Sequence, residues 1–222
     1  MNYKSLEELN FNIEDGDRGK NYPSPSELYS DGYCLFLNNK NIINNKLNIQ
    51  DSNYISEEKH KQLHAGNLSI NDIVITTRGT LGNCLIIDKK FPLPARINSG
   101  MVIIHKNNLF IQKYLYYFFS SELFHNQILS LQSGAAQPQI PIKDLLKVNI
   151  PVICKDAQQH IVNTILFLLL KFLQLFFLVP FPPLLNQIIL QNSSLSLHLF
   201  VLELINLLHL RLHNVQDLMN NL

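Results

Sequence analysis

The sequence predicts an α+β domain followed by a helical segment. Short apolar runs rich in β-branched residues alternate with turn-forming residues up to about residue 160. One longer stretch, residues 110–131, carries apolar residues at roughly helical intervals. Beyond that point leucine and phenylalanine replace almost all charged residues. We therefore expect a domain at residues 1–155, with a twisted, mostly antiparallel or mixed sheet and flanking helices. Residues 156–222 would form a helical spacer or dimerisation segment that is atypically apolar.

Four apolar runs predict buried strands, because each is too short for a stable helix and is bounded by turn residues. These strands are expected at residues 33–37, 73–77, 84–87 and 101–105. The segments NNKN, RGTLGN and INSG between them are typical of turns. Residues 57–65 and 110–131 predict helices, and Ser133 with Gly134 would end the second helix.

Composition gives no direct indication of a binding partner. The chain has 18 Lys and Arg residues against 17 Asp and Glu, so any surface for a polyanion must come from local clustering. Cys34, Cys84 and Cys154 are too widely spaced for a zinc site and predict free, largely buried thiols in a reducing compartment. The N-terminus lacks the apolar core of a signal peptide, and we expect a cytoplasmic protein.

The segment at residues 13–24, IEDGDRGKNYPS, predicts an exposed turn. Glycines at both sides of Asp17 and Arg18 allow a tight backbone turn. The turn leaves four side chains free to reach a polyanion, namely Arg18, Lys20, Asn21 and Tyr22. The alternative is a solvated loop in which opposite charges pair with one another.

The segment at residues 72–83, DIVITTRGTLGN, places Arg78 and Thr80 directly after a buried strand. The arginine fork suits a phosphate or the O6 and N7 edge of guanine. The loop lacks the Gly-Lys-Ser/Thr ending of a nucleotide-binding P-loop. The alternative is a hairpin turn in which Arg78 pairs with a local carboxylate.

Two further segments consist of turn-forming or extended residues. Residues 97–104, INSGMVII, open another strand with small polar groups that turn formation alone explains. In residues 133–145, SGAAQPQIPIKDL, two prolines hold the backbone extended. Gln137 and Gln139 would then project on one side, where an amide can bind adenine through two hydrogen bonds. The alternative is a proline-stiffened linker.

In this order, the segments resemble the target-recognition domain of type I restriction–modification specificity subunits. The resemblance covers residues 10–165. Its landmarks are DGDRGKNYP, CLFLNNKNI, ISEEKH, DIVITTRGTLGN, NSGMVII, YLYYFFSS, SGAAQPQIPIKDL, IPV and QQHIV.

The resemblance implies an α+β domain that binds half of a bipartite site in double-stranded DNA and has no catalytic chemistry of its own. Partners would be a methylase (modification) subunit, a translocase and endonuclease (restriction) subunit, and a second copy or a second recognition-domain fragment. S-adenosylmethionine, ATP and Mg²⁺ are expected on those subunits, and no cofactor or metal on this chain. The DNA-facing positions would be Arg18, Lys20, Asn21, Tyr22, Arg78, Thr80, Gln137 and Gln139.

An enzyme is not favoured by the sequence. His60 and His64 lie one helical turn apart, but no glutamate directly follows His60, so the zinc-protease pattern HExxH is absent. We expect a solvated histidine pair. A protein-interaction scaffold without DNA readout remains an alternative.

The C-terminal segment departs from the family pattern, in which a charged spacer helix is expected. In residues 164–222 the charged residues are Lys171, Glu203, Arg211 and Asp217. We hypothesise that a reading-frame change near residue 166 replaced the native tail; translation of the other two frames tests this. The alternative is a membrane anchor at residues 161–179, against which Lys171 counts.

Overall fold

A computed structural model of the chain describes residues 2–134 and 138–178. Its strands are β1 (Tyr3–Ser5), β2 (Ile13–Asp15), β3 (Cys34–Leu37), β4 (Ile42–Ile43), β5 (Lys46–Leu47), β6 (Asn53–Ile55), β7 (Ile73–Thr76), β8 (Cys84–Ile86), β9 (Ala95–Ile97), β10 (Met101–Ile104) and β11 (Asn149–Pro151). Its helices are α1 (Glu57–Gln62), α2 (Gln112–Phe119), α3 (Glu122–Leu131), α4 (Ile142–Leu145) and α5 (Lys155–Leu178). The predicted α+β class is confirmed.

The central sheet has the strand order β2-β10-β7-β8, and each of its pairings is antiparallel. Its two middle strands, β7 and β10, are buried along their whole length. This explains why they read as continuous apolar runs, since a strand covered on both faces needs no polar alternation.

A second sheet, β6-β3-β9, packs on one face of the central sheet. Its pairing of β3 with β9 is parallel, whereas β3 and β6 pair antiparallel. Leu35 and Ile97 from this sheet share one hydrophobic core with Val74 and Ile103 from the central sheet. Alternate residues of a strand face opposite sides, so Ile73 and Ile75 point to the other face.

Helix α2 covers that other face. The Cys84 thiol of β8 lies 3.1 Å from the Ser120 hydroxyl at the end of α2. Phe118 and Phe119 of α2 pack against Phe124 of α3, with ring centroids 5.9 and 5.0 Å away. Three of the predicted strands, β7, β8 and β10, therefore lie between a second sheet and a helical layer, and the fourth, β3, is the middle strand of that second sheet.

Two sequence predictions are wrong in detail. The single helix predicted at residues 110–131 is two helices, because Ser121 leaves helical geometry and its hydroxyl caps α3 by accepting from the Phe124 amide. Cys154 is exposed, whereas Cys34 and Cys84 are buried as expected.

The chain divides into two compact units, residues 1–165 and 166–222. The second unit is described only as far as Leu178, where α5 ends. In the part of the chain with described coordinates, no helix has the length and apolar character needed to cross a membrane. The proposed frame change concerns a tail that lies mainly outside the described residues, and it stays a hypothesis.

Candidate nucleic-acid interface

The candidate interface lies at one end of the central sheet. Thr76 at the end of β7 pairs with Met101 at the start of β10, and Asp15 at the end of β2 pairs with Val102. Because neighbouring strands run antiparallel, the segments after β2, after β7 and before β10 all leave the sheet at the same end. Three segments singled out in the sequence are thus brought together.

These segments approach so closely that glycine is required. A Cβ atom on Gly16 would lie 2.2 Å from the backbone oxygen of Asn98. One on Gly100 would lie 2.9 Å from Oδ1 of Asn39, in the turn after β3. A side chain at Gly16 would collide with backbone, whereas one at Gly100 would require the Asn39 side chain to move. The asparagine-rich turn after β3 therefore also belongs to this end of the sheet.

The fourth segment adds to β7 beyond its end. The Gly79 amide donates to the Pro138 carbonyl at 3.1 Å, and the Ile140 amide donates to the Thr77 carbonyl at 3.0 Å. Arg78 and Gln139 form an isolated antiparallel bridge between the two segments. Residues 138–140 therefore pair with the chain that follows β7, and they do not form a free linker. Gln137 lies outside the described residues, so its predicted position stays untested.

The loop from residue 77 to residue 83 is a hairpin turn that is stabilised by the Thr76 side chain within it. The Thr76 hydroxyl donates to the Thr80 carbonyl at 2.6 Å and accepts from the Asn83 amide at 3.0 Å. The side-chain amide of Asn39 donates to the carbonyl of Arg78. The loop is thus fixed at both ends and in its middle, and Thr80 stays exposed on it.

Arg18 is already paired. Its guanidinium donates to both carboxylate oxygens of Asp15, from Nε at 2.9 Å and from Nη2 at 3.0 Å. Nη2 also donates to the Ser99 carbonyl at 2.9 Å. For Arg18, the alternative of a loop in which opposite charges pair is therefore the one that the structure shows. Its bonds connect the end of β2 to the turn before β10.

The loop after Arg18 is anchored on its acidic residue. The buried Asp17 carboxylate accepts from the Gly19 amide at 2.7 Å and from the His64 amide at 2.9 Å. The bond from the His64 backbone is the main cause that lowers the pKa of Asp17. Lys20 remains exposed at the surface of this fixed loop.

Asn21 and Tyr22, predicted to face DNA, contact the protein. The Asn21 amide donates to the Gln62 carbonyl at 3.0 Å, and the Asn21 carbonyl accepts from Lys59 Nζ at 3.4 Å. The half-buried Tyr22 ring lies 5.7 Å from the Phe36 ring, against a second, smaller hydrophobic cluster formed with Cys34, Ile55 and Leu63. These contacts hold the loop against α1 and β3.

Arg78 differs from Arg18 in that its side chain has no partner among the described residues. Its side chain is half-buried and makes no hydrogen bond or ion pair with any residue that the structure describes. The alternative in which Arg78 pairs with a local carboxylate is therefore not found among residues 2–134 and 138–178. Arg18 and Arg78 both line a recess of about 290 Å³, together with Asp15, Gln139, Val102 and Ile140.

The expectation of a solvated histidine pair holds for His64, which is exposed, but not for His60, which is half-buried. His60 Nδ1 accepts from Arg96 Nε at 3.1 Å, and burial, followed by the Arg96 charge, lowers the pKa of His60. His60 thus serves the packing of α1 against β9. Within the described ranges, no group of three or more His, Cys, Asp or Glu residues is arranged to hold a metal ion.

Sequence reasoning missed Asp15 and Asn39, which shape this surface. Asn39 stood inside a segment noted only as an asparagine-rich turn, and its contact with Arg78 spans 39 positions. Asp15 lies three positions before Arg18, a spacing that is compatible with pairing in a turn, but the sequence does not show which carboxylate of the segment pairs with Arg18.

Comparison with known proteins assigns the family. The family model described as "Type I restriction modification DNA specificity domain" matches residues 2–172, well over half of the chain. The chain belongs to this family. No curated protein matches the chain significantly.

Three solved structures share the fold of this specificity domain. A chain from a study of complex assembly and conformational transition of the type I R-M system has a TM-score of 0.58 at 19% identity, over 78% of this chain and 39% of that one. The S subunit from M. genitalium has a TM-score of 0.50 at 18% identity, over 73% and 37%. The HsdS subunit from Thermoanaerobacter tengcongensis has a TM-score of 0.57 at 18% identity, over 88% and 45%. The matched region is thus less than half of each of those chains.

Proposed function

We propose that this chain is a target-recognition domain of a type I restriction–modification specificity subunit, and that the loop end of its central sheet binds double-stranded DNA with sequence preference. The observation that carries the proposal is the convergence of four separate segments on one surface. That surface presents Lys20 and Arg78, two cations without partners among the described residues. The family membership supports the same function.

The side chains at this surface divide into two groups. Arg18, Asn21 and Tyr22 are engaged with the protein and would set the shape of the interface, although part of the exposed Arg18 guanidinium stays open to a ligand. Lys20, Thr80 and Gln139 are exposed and reach solvent. We infer that the exposed group contacts DNA, with Lys20 on the backbone and with Thr80 and Gln139 at base edges, where amides and hydroxyls discriminate between bases.

We infer that the domain itself is non-catalytic and directs separate subunits to the site. The family description names a DNA specificity domain, and the fold matches an S subunit. A methylase subunit using S-adenosylmethionine and a restriction subunit using ATP and Mg²⁺ would supply the chemistry. A second recognition domain, from another copy or another fragment, would read the other half of the site, since the chain spans less than half of its structural relatives.

Selection from a random-sequence duplex pool tests this function. The full chain is incubated with the pool, alone and with its modification subunit, and bound duplexes are sequenced and measured by mobility shift. We expect enrichment of a short motif and a preference of about a thousandfold or more over non-specific duplex. Equal binding of all duplexes in both conditions would reject sequence recognition. Assembly with the modification subunit without any DNA preference would indicate an interaction scaffold.

A further inference from the structure

The recess between Arg18 and Arg78 has the charge of a site for a monoanion. Asp15 neutralises Arg18 through two hydrogen bonds of 2.9 and 3.0 Å. Arg78 has no such partner among the described residues. The recess therefore carries one uncompensated positive charge, and a phosphodiester group carries one negative charge.

The shape of the recess favours a group that protrudes from the ligand. Reading a base edge requires a protein side chain that extends into a groove of the duplex. Arg78 instead lines a concave space of about 290 Å³. Phosphates are the groups of a duplex that project outward from the helix, and they are the most frequent hydrogen-bond acceptors in protein–DNA complexes.

The walls of the recess suit a charge-assisted contact. Val102 and Ile140 in its lining are 2% and 4% exposed, so the floor of the recess is apolar. Apolar groups offer no hydrogen-bond partner that competes with a charge-assisted bond between a guanidinium and an anion. Gln139, which is exposed at the same recess, adds amide donors at the rim.

The loop that carries Arg78 is fixed before any ligand arrives. Asn39 holds the Arg78 carbonyl, and the next amide, from Gly79, is bonded to Pro138 at 3.1 Å. A guanidinium on a fixed backbone loses less entropy on binding than one on a mobile loop.

We propose that this recess seats one backbone phosphate of the bound duplex, with Arg78 as its principal ligand and the Asp15-held Arg18 as a second one. The proposal rests on the DNA-binding function proposed above and assigns Arg78 to backbone positioning rather than to base reading. Arg18 contributes the guanidinium edge that Asp15 and Ser99 leave free.

A methylphosphonate scan tests the seat. With the selected duplex, each phosphate is replaced in turn by a neutral methylphosphonate, and binding is measured for the unmodified chain and for Arg78→Ala. We expect one position at which the replacement weakens the unmodified chain by roughly tenfold or more and weakens Arg78→Ala much less, since only Arg18 remains there to contact the phosphate. The salt dependence of Arg78→Ala should be shallower by about 0.9 in log–log slope.

Three controls keep the outcome decisive. Lys89→Ala removes an exposed charge beyond the far end of β8 and should change neither the scan nor the slope. Arg78→Lys keeps the charge and should retain the selected motif, and an unchanged unfolding midpoint shows that each variant folds.

Three results would overturn the phosphate seat while leaving DNA recognition intact. One is relaxed preference at a single base position in Arg78→Ala, which would identify a base-reading arginine. The second is equal sensitivity of both proteins to every methylphosphonate. The third is saturable binding of inorganic phosphate at Arg78 that DNA does not displace, which would place the site outside the DNA complex. Absence of any selected motif would instead reject the proposed function itself.

Discussion

The side-chain amide of Asn39 donates a hydrogen bond to the backbone carbonyl of Arg78, joining the turn after β3 to the loop after β7. The other side-chain atom, Oδ1, is buried and has no hydrogen-bond partner among the described residues. Asn39 thus connects the second sheet to the central sheet at the candidate DNA surface. Its Oδ1 atom lacks a donor among the described residues.

Asn39→Ala should loosen the Arg78 loop with a small loss of stability. The Arg78 carbonyl loses its donor, but the unsatisfied Oδ1 is removed as well, so we expect a net loss of about 1 kcal/mol in the free energy of unfolding. DNA affinity should fall although Arg78 is still present. Urea unfolding and mobility shift measure the two effects, with Asn67→Ala, an exposed asparagine, as control. Unchanged DNA affinity would contradict the role of this contact.

Gly16→Ala should destabilise the domain much more than Gly19→Ala. The new Cβ at Gly16 would meet the Asn98 backbone at 2.2 Å, whereas at Gly19 it would meet only Oδ1 of the Asp17 side chain at 3.2 Å. We expect a loss of about 1–3 kcal/mol for Gly16→Ala from forced backbone movement. Thermal unfolding of both variants measures the difference. Equal melting temperatures would show that the two loops do not approach as described.

Arg96→Lys should weaken the attachment of α1. Arg96 is 7% exposed and donates from Nη1 to the Ala65 carbonyl at 2.7 Å and from Nη2 to the His60 carbonyl at 2.9 Å. A lysine ammonium cannot reproduce this fork, so we expect a loss of about 2–3 kcal/mol. Urea unfolding measures it, and hydrogen exchange should increase first at the His60 and Ala65 amides. Exchange that increases only in the central sheet would contradict this attachment.

The His105 side chain should make stability depend on pH. Its Nδ1 and Nε2 atoms each lie 3.0 Å from a carboxylate oxygen, of Asp72 and Glu14 respectively, and it is 25% exposed. Burial opposes protonation, but the hydrogen bonds and charges of these carboxylates outweigh it and raise the pKa of His105 above 6.5.

Because the folded-state pKa is raised, this stabilisation is fully present below the unfolded value of 6.5 and is lost as pH rises through the higher folded value. The difference in urea midpoint between the unmodified chain and His105→Gln should therefore be largest in mild acid and shrink above neutrality. The comparison cancels the contribution of His60, which both proteins retain. A difference that grows with pH would contradict the assignment.

Much of the fold could be predicted from local pattern. The strands at β3, β7, β8 and β10 follow from apolar runs that are too short for helices, and α1 follows from a capped polar helix. The short strands β1, β2 and β11 could not be found, because Asp15, Asn149 and their neighbours carry no local strand pattern. Their pairing is set by partners distant in sequence, as with Tyr3 and Pro151.

The candidate site was predicted less completely than the fold. The segments around Arg18, Arg78 and Gln139 could be chosen from the sequence, since glycine and proline residues mark exposed turns. The sequence could not show which of their side chains remain unpaired, because a side chain's partners depend on what the fold places beside it. Arg18 and Arg78 are equivalent by residue type, yet only Arg18 is paired with a carboxylate among the described residues.

The amino-acid order alone determined the α+β class, the main buried strands and the membership of a DNA specificity family, because these depend on short-range patterns and ordered motifs. Tertiary structure decided the rest. Antiparallel pairing of β2, β7 and β10 brought segments that are distant in sequence, such as those after Asp15 and after Thr76, to one end of the sheet. There, distances of a few ångströms fixed which charges are neutralised within the protein and which remain for a partner.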